Sequence, residues 1–123
     1  MHAVSVPQPG ASALLTGSGS VEYPAWKTGY RGLLLIHAAK AEGRGSAAAG
    51  LVCNALLGVV DLVDCVRDDR QGDEAGYRWV LANPRVFVPP VPHNGKVGMF
   101  EVSDAAVAEA LATAEPPKKG TKN

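Results

Sequence analysis

The chain carries only two cysteines in 123 residues, Cys53 and Cys65. Two thiols are too few for a disulfide framework or a four-cysteine zinc site, and this usage fits a reducing compartment, the cytoplasm. Each lies in an apolar stretch, where a free cysteine packs as a small hydrophobe. An excess of one charge is missing too, since twelve Lys and Arg balance twelve Asp and Glu. That balance excludes a histone-like polycation and an acidic solvating domain. The longest charge-free apolar stretch, Gly45 to Val60, is broken by Ser46, Gly50, Asn54 and Gly58 and is too short to span a bilayer. Residues 1–21 contain no Lys or Arg, and Pro7, Pro9 and Gly10 interrupt their apolar content, so no signal peptide is expected. The histidines, His2, His37 and His93, are scattered without ligand spacing, so no metal is expected, nor any cofactor. Gly17-Ser18-Gly19-Ser20 is glycine-rich but lacks the lysine of a phosphate-binding loop.

Glycine and proline are abundant, at 14 and 9 residues, which predicts many turns and few long helices. The length suits one domain, set here at residues 1–114, followed by a polar Pro/Lys/Gly tail at 115–123 that is expected to be disordered. Residues 3–6 read as an opening strand, ended by Pro7-Gln8-Pro9, with a short helix through 11–16 that stops at Gly17. Val21 and Tyr23 form a strand edge broken by Pro24. Gly32 to Ala38 is apolar on both faces and should be a central strand. Residues 39–49 are alanine-rich and read as a glycine-weakened helix. Leu56 to Val66 gives another strand, the acidic run 68–74 a surface loop, and Tyr77 to Leu81 a third long strand. Asn83-Pro84 should break it, with Val86-Phe87-Val88 as a continuation and Pro89 to Pro92 as an extended connector. Lys96 to Val102 is the last strand, and Ser103-Asp104 caps a closing helix over 105–114. The expected fold class is α+β, mainly β: a small, partly closed mixed β-barrel of five to six strands with two to three short peripheral helices.

Charge is unevenly placed. Residues 1–60 carry a net +2, residues 61–114 a net −4, and the tail adds Lys118, Lys119 and Lys122 against Glu115. The early segment also gathers aromatic and basic groups: Trp26, Lys27, Tyr30, Arg31 and Lys40, with Tyr77, Arg78 and Trp79 later. Cations beside ring faces are what a groove for single-stranded nucleic acid requires. Alternation along a strand gives Trp79 a plain core role instead, whereas Trp26, between Pro24 and Lys27, reads as exposed. His37 ends the central strand, at a barrel rim, roughly 20 Å from Arg31 at its start. A hydrogen-bonded structural histidine and a Glu22–Arg31 rim pair are the corresponding readings without a ligand.

The ordered motifs resemble those of the ASCH (activating signal cointegrator homology) domains of the PUA-like superfamily. Val4-Ser5-Val6-Pro7-Gln8-Pro9 with Ala11-Ser12 is similar to the family's opening. Val21-Glu22, Trp26, Tyr30-Arg31-Gly32 and Leu34 to Lys40 resemble its "VExRsW…YRGxLLIHAsK" segment. Gly58 to Cys65, Tyr77 to Leu81, Pro90-Val91-Pro92 and Gly95 to Phe100 continue the likeness, which spans residues 3–102. The resemblance implies a PUA-like β-barrel whose cleft meets nucleic acid or a modified nucleobase. The family's cleft signature, G-x-K-x-x-E-x-R, starts here at Gly17 and keeps Glu22, but Gly19 stands at the lysine and Pro24 at the arginine. Gly10 also replaces the tryptophan of the opening motif.

Some bacterial relatives resembling this chain in fold hydrolyse an acetylated cytidine with the signature lysine. Glycine supplies no amine to activate, which argues against that chemistry unless Lys27 or Lys40 substitutes. The reading is therefore a non-catalytic binder of RNA or single-stranded DNA, with modest, salt-sensitive affinity. Its expected contacts are Gln8, Gly17, Gly19, Glu22, Trp26, Lys27, Tyr30, Arg31, His37 and Lys40. The alternatives are a hydrolase acting on a modified nucleoside such as N4-acetylcytidine, or on RNA, with Glu22 as the surviving catalytic group, and a protein-interaction module with no ligand.

Overall fold

Period-two alternation decides where the apolar residues go. In the computed structural model, which describes residues 1–16, 21–40, 50–67 and 76–117, the run Leu34-Leu35-Ile36 is wholly buried on both faces. It belongs to β3 (Gly32–Ala38), and its neighbours are β1 (His2–Val6), parallel, and β4 (Ala55–Arg67), antiparallel. Leu34 and Ile36 enter one apolar cluster and Leu35 enters another, as successive side chains of a strand must. Both faces of the sheet are therefore packed.

The other strands are β2 (Val21–Ala25), β5 (Tyr77–Pro92) and β6 (Met99–Glu101). They complete one mixed six-stranded sheet in the order β2-β5-β4-β3-β1-β6. The ladder ends on β2 and β6, which do not pair with each other among the described residues, so the sheet is not closed. Mainly β with short helices holds as the fold class. Pro24 stays inside β2 because β2 is an edge strand, whose outer side needs no donor.

Two helices are present among the described residues. α1 (Gly10–Ala13) covers the first cluster through Ala11, with Leu14 and Leu15 just beyond it. α2 (Asp104–Thr113) covers the second through Val107. Ser103 caps α2, its side chain accepting from the Ala105 N–H at 3.2 Å, as Ser-Asp before an apolar run foretells. The expected helix over 39–49 is not seen at Ala39 and Lys40, which are irregular; residues 41–49 lie outside the described residues. So does the acidic run 68–74.

β5 departs most from expectation. It runs unbroken from Tyr77 to Pro92, through Asn83-Pro84 and through the stretch read as a connector. Bulges make this possible. Asp61 pairs with Ala82 and Val59 with Arg85, so β5 holds one residue more than β4 there, and Asn83 takes a left-handed φ of 57° that asparagine tolerates. A larger excursion follows: five β5 steps from Val86 to Val91 stand against two β4 steps from Leu56 to Gly58. The strand read over Lys96–Val102 shortens to β6. At the carboxyl end, Glu115 bridges Val86, its N–H donating to the Val86 carbonyl at 3.3 Å and its own carbonyl accepting from Val86 at 2.7 Å. Glu115, the first residue of the segment read as tail, is thus paired with β5, and residues 118–123 lie outside the described residues. No helix among the described residues is long and apolar enough to cross a membrane.

Candidate functional site

The β5 excursion opens a cleft of about 870 Å³. Its lining includes Ser12, Leu15 and Thr16, at and just after α1, and Val86, Phe87, Val88 and Pro90 of β5. Gly50, Leu51 and Val52, Leu57 of β4, and Thr113 with Glu115, Pro116 and Pro117 complete it. The volume lies within the range of small-molecule sites, and the lining is largely apolar with a few polar groups, the usual composition of such sites. Leu51, Val52 and Val88 stay exposed at its rim, at 41%, 47% and 81%. Water would leave these faces on occupation, which favours an apolar or flat aromatic ligand.

Gln8 builds the α1 side of the cleft without lining it. It is buried, and its amide nitrogen donates to Ser12 Oγ at 2.9 Å and to the Val52 carbonyl at 2.8 Å. Its amide oxygen accepts from the Ser12 N–H at 2.9 Å. This one side chain ties the start of α1 to the 50–52 segment.

The other sequence-predicted residues do not converge on the cleft. Gly17 and Gly19 lie outside the described residues. Glu22, on the solvent side of β2, forms an ion pair with Arg78. Arg31 pairs with Asp64 at 3.5 Å and spends further donors on the carbonyls of Thr28 and Tyr30, at 3.0 and 2.9 Å. The anticipated Glu22–Arg31 pair is thus replaced by two others, and Arg85–Asp61 at 2.8 Å adds a third. Of the three, Arg31–Asp64 is exposed on both sides and stabilises by at most about 1 kcal/mol, while Arg78, Arg85 and Asp61 are half-buried. The pairs also engage Arg31, Arg78 and Arg85 with carboxylates that a phosphate backbone would have to displace. Lys27 and Lys40 are exposed, one in the chain before β3 and the other just after it.

Trp26 is 42% exposed, its ring edge-on to Trp79 with centroids 4.9 Å apart, and its carbonyl accepts from Trp79 Nε1 at 2.8 Å. Trp79 itself is wholly buried, the core role that alternation gave it. Tyr30 stacks on His2 at 4.0 Å and donates its hydroxyl to the Leu33 carbonyl. Trp26, Trp79 and Tyr30 are thus each in contact with another ring of the protein.

His37 is not on a rim. It is fully buried beside the second apolar cluster, edge-on to Phe100 at 5.8 Å. Its Nε2 faces the His93 carbonyl at 2.5 Å, and a carbonyl only accepts, so Nε2 carries the hydrogen. Nδ1 then accepts from the Ser5 hydroxyl at 3.0 Å. Burial lowers the imidazole below its ordinary value and the nearby His93 ring lowers it further, against the opposing effect of the His93 carbonyl bond. Gly95 packs directly on the ring; a Cβ there would lie 2.5 Å from Cε1. His37 thus anchors the 93–95 segment over β1 and β3.

Sequence reasoning missed Leu51, Val88, Pro90, Thr113 and Glu115 as cleft residues. The available signal was Val86-Phe87-Val88-Pro89-Pro90, an apolar run holding two prolines, which suits a strand leaving its ladder. No group of three or more His, Cys, Asp or Glu among the described residues is arranged to hold a metal. Both cysteines are half-buried free thiols, and Cys65 packs against the first cluster. Compared with models of known protein families and with curated protein sequences, the chain matches neither.

Proposed function

We propose that this is a PUA-like, non-catalytic cytoplasmic domain that binds nucleic acid by taking one base, free or displayed on a strand, into the cleft between α1 and β5. The supporting observation is the cleft itself, about 870 Å³ and walled by apolar side chains with a few hydroxyls and one carboxylate. A base is flat, largely apolar on its faces and polar on its edge, and stacking on apolar walls tolerates every base. The dispersal of the cations argues for base capture over a charge-lined groove. Nucleic acid would then be held weakly through its phosphates, with Lys27 and Lys40 as exposed contacts.

For a nucleoside of about 18 non-hydrogen atoms, roughly 0.3 kcal/mol per atom gives a binding free energy near −5 kcal/mol. That corresponds to a Kd of about 10⁻⁴ M. Titration calorimetry with the four ribonucleosides, and with short RNA and DNA strands at low and raised salt, tests the reading. Nucleosides should bind with little salt dependence, and strands with a moderate one. Leu51→Asp, which puts a charge on the rim without touching the core, should weaken both at least tenfold. No binding by any nucleoside or strand refutes the proposal. Release of acetate from N4-acetylcytidine would instead make the protein a hydrolase.

A further inference from the structure

We infer that the cleft selects a base edge rich in hydrogen-bond donors, a guanine-type edge, and that Glu115 reads it; this rests on the base-capture reading above. Of the four polar side chains among the cleft's described lining residues, Ser12, Thr16, Thr113 and Glu115, three can only accept. Glu115 is the one ionisable side chain among its described lining residues. The Thr16 hydroxyl donates to the Ala13 carbonyl at 3.1 Å and that of Thr113 to the Glu109 carbonyl at 3.2 Å. With their hydrogens spent, both oxygens can only accept from a ligand. Ser12 is the exception. Its oxygen accepts from Gln8 Nε2, so its own hydrogen remains to be donated.

Glu115 is also placed by its backbone. Both of its main-chain hydrogen bonds go to Val86, and Pro116 and Pro117 follow with restricted φ. The carboxylate therefore starts from a fixed Cα at the cleft wall. A carboxylate takes two parallel N–H groups well. Guanine offers N1–H and the exocyclic amine side by side, with O6 next to them as an acceptor for the Ser12 hydroxyl. Cytosine and adenine place one amine beside a bare ring nitrogen. Uracil flanks its single N–H with two carbonyls, which a carboxylate repels. A phosphate cannot take the place of the base, because Glu115 would oppose it with no cation in the described lining.

The discriminating experiment compares guanosine, inosine and uridine by calorimetry, using the full chain and the variants Glu115→Gln and Glu115→Ala. Inosine keeps N1–H and O6 but lacks the exocyclic amine. The native chain should prefer guanosine over inosine by about tenfold, the worth of one hydrogen bond to a charged acceptor, and over uridine by more. Both variants should bring guanosine to within about threefold of inosine while leaving uridine unweakened. Neither variant removes the main-chain bridge to Val86, and circular dichroism melting checks that the fold is retained. Equal binding of all three nucleosides, or a guanosine preference unchanged in Glu115→Gln, overturns the inference and leaves base capture standing. Absence of any nucleoside binding overturns both.

Discussion

Replacing Gly58 by alanine tests the register that creates the cleft. Gly58 pairs with Val86 at the point where β5 begins its excursion. A Cβ on Gly58 would overlap the Arg85 carbonyl oxygen and lie 3.1 Å from Leu15 Cδ1 and 3.2 Å from the Arg85 carbonyl carbon. Leu15 can turn away, but the Arg85 carbonyl is backbone, and moving it displaces β5 from β4. The added methyl gains at most about 0.8 kcal/mol from burial. Overpacking costs about 1–3 kcal/mol, and loosening a ladder hydrogen bond about 1 kcal/mol more. The net loss is then roughly 1–3 kcal/mol, or a Tm lowered by about 4–12 °C at near 4 °C per kcal/mol. Gly29→Ala is the matched control, because nothing lies within 4 Å of its Cβ and its backbone is not left-handed. It should leave Tm unchanged or raise it by a few degrees through a less flexible unfolded chain. Thermal melting by circular dichroism, with urea denaturation for the free energy, measures both. Nucleoside affinity should fall in Gly58→Ala as well, since Leu15 and Val86 line the cleft. A Gly58→Ala protein melting within about 2 °C of the native chain refutes this register and the cleft built on it.

Acid should weaken the fold through His37. Its folded-state value is lowered, so below the unfolded value of about 6.5 the unfolded chain binds a proton that the native chain refuses. Stability is retained above that pH and falls beneath it by at most about 1.4 kcal/mol per unit. Urea denaturation at several pH values, repeated on His37→Gln, should show this component vanish in the variant; an identical profile counts against a buried neutral imidazole. Arg31→Ala should cost at most about 1 kcal/mol, an effect that shrinks further in molar salt, and should leave nucleoside affinity unchanged. A large loss of affinity there would return Arg31 to the binding surface. Trp79→Phe should cost about 1–3 kcal/mol, because the Trp26 carbonyl loses the Nε1 donor held at 2.8 Å, and Trp26 fluorescence should report the loosened contact.

The sequence by itself determined the local elements whose cause is local. Apolar residues on both faces made β3 central, and Ser103-Asp104 set the start of α2; the break read at Pro24 does not occur, since β2 pairs with β5 through it to Ala25. Gln8, expected as a ligand contact, instead spends its amide on Ser12 and on the Val52 carbonyl, 44 residues away. Only the tertiary structure decided the rest, because those outcomes depend on groups distant in the chain. His37 left the rim for the interior once Ser5 and the His93 carbonyl, 32 and 56 residues away, satisfied both ring nitrogens. Glu22 and Arg31 took other partners because β5 and β4 brought Arg78 and Asp64 beside them. The cleft itself arises from a mismatch in residue count between paired strands, which neither strand carries alone, and from Glu115 returning to meet Val86.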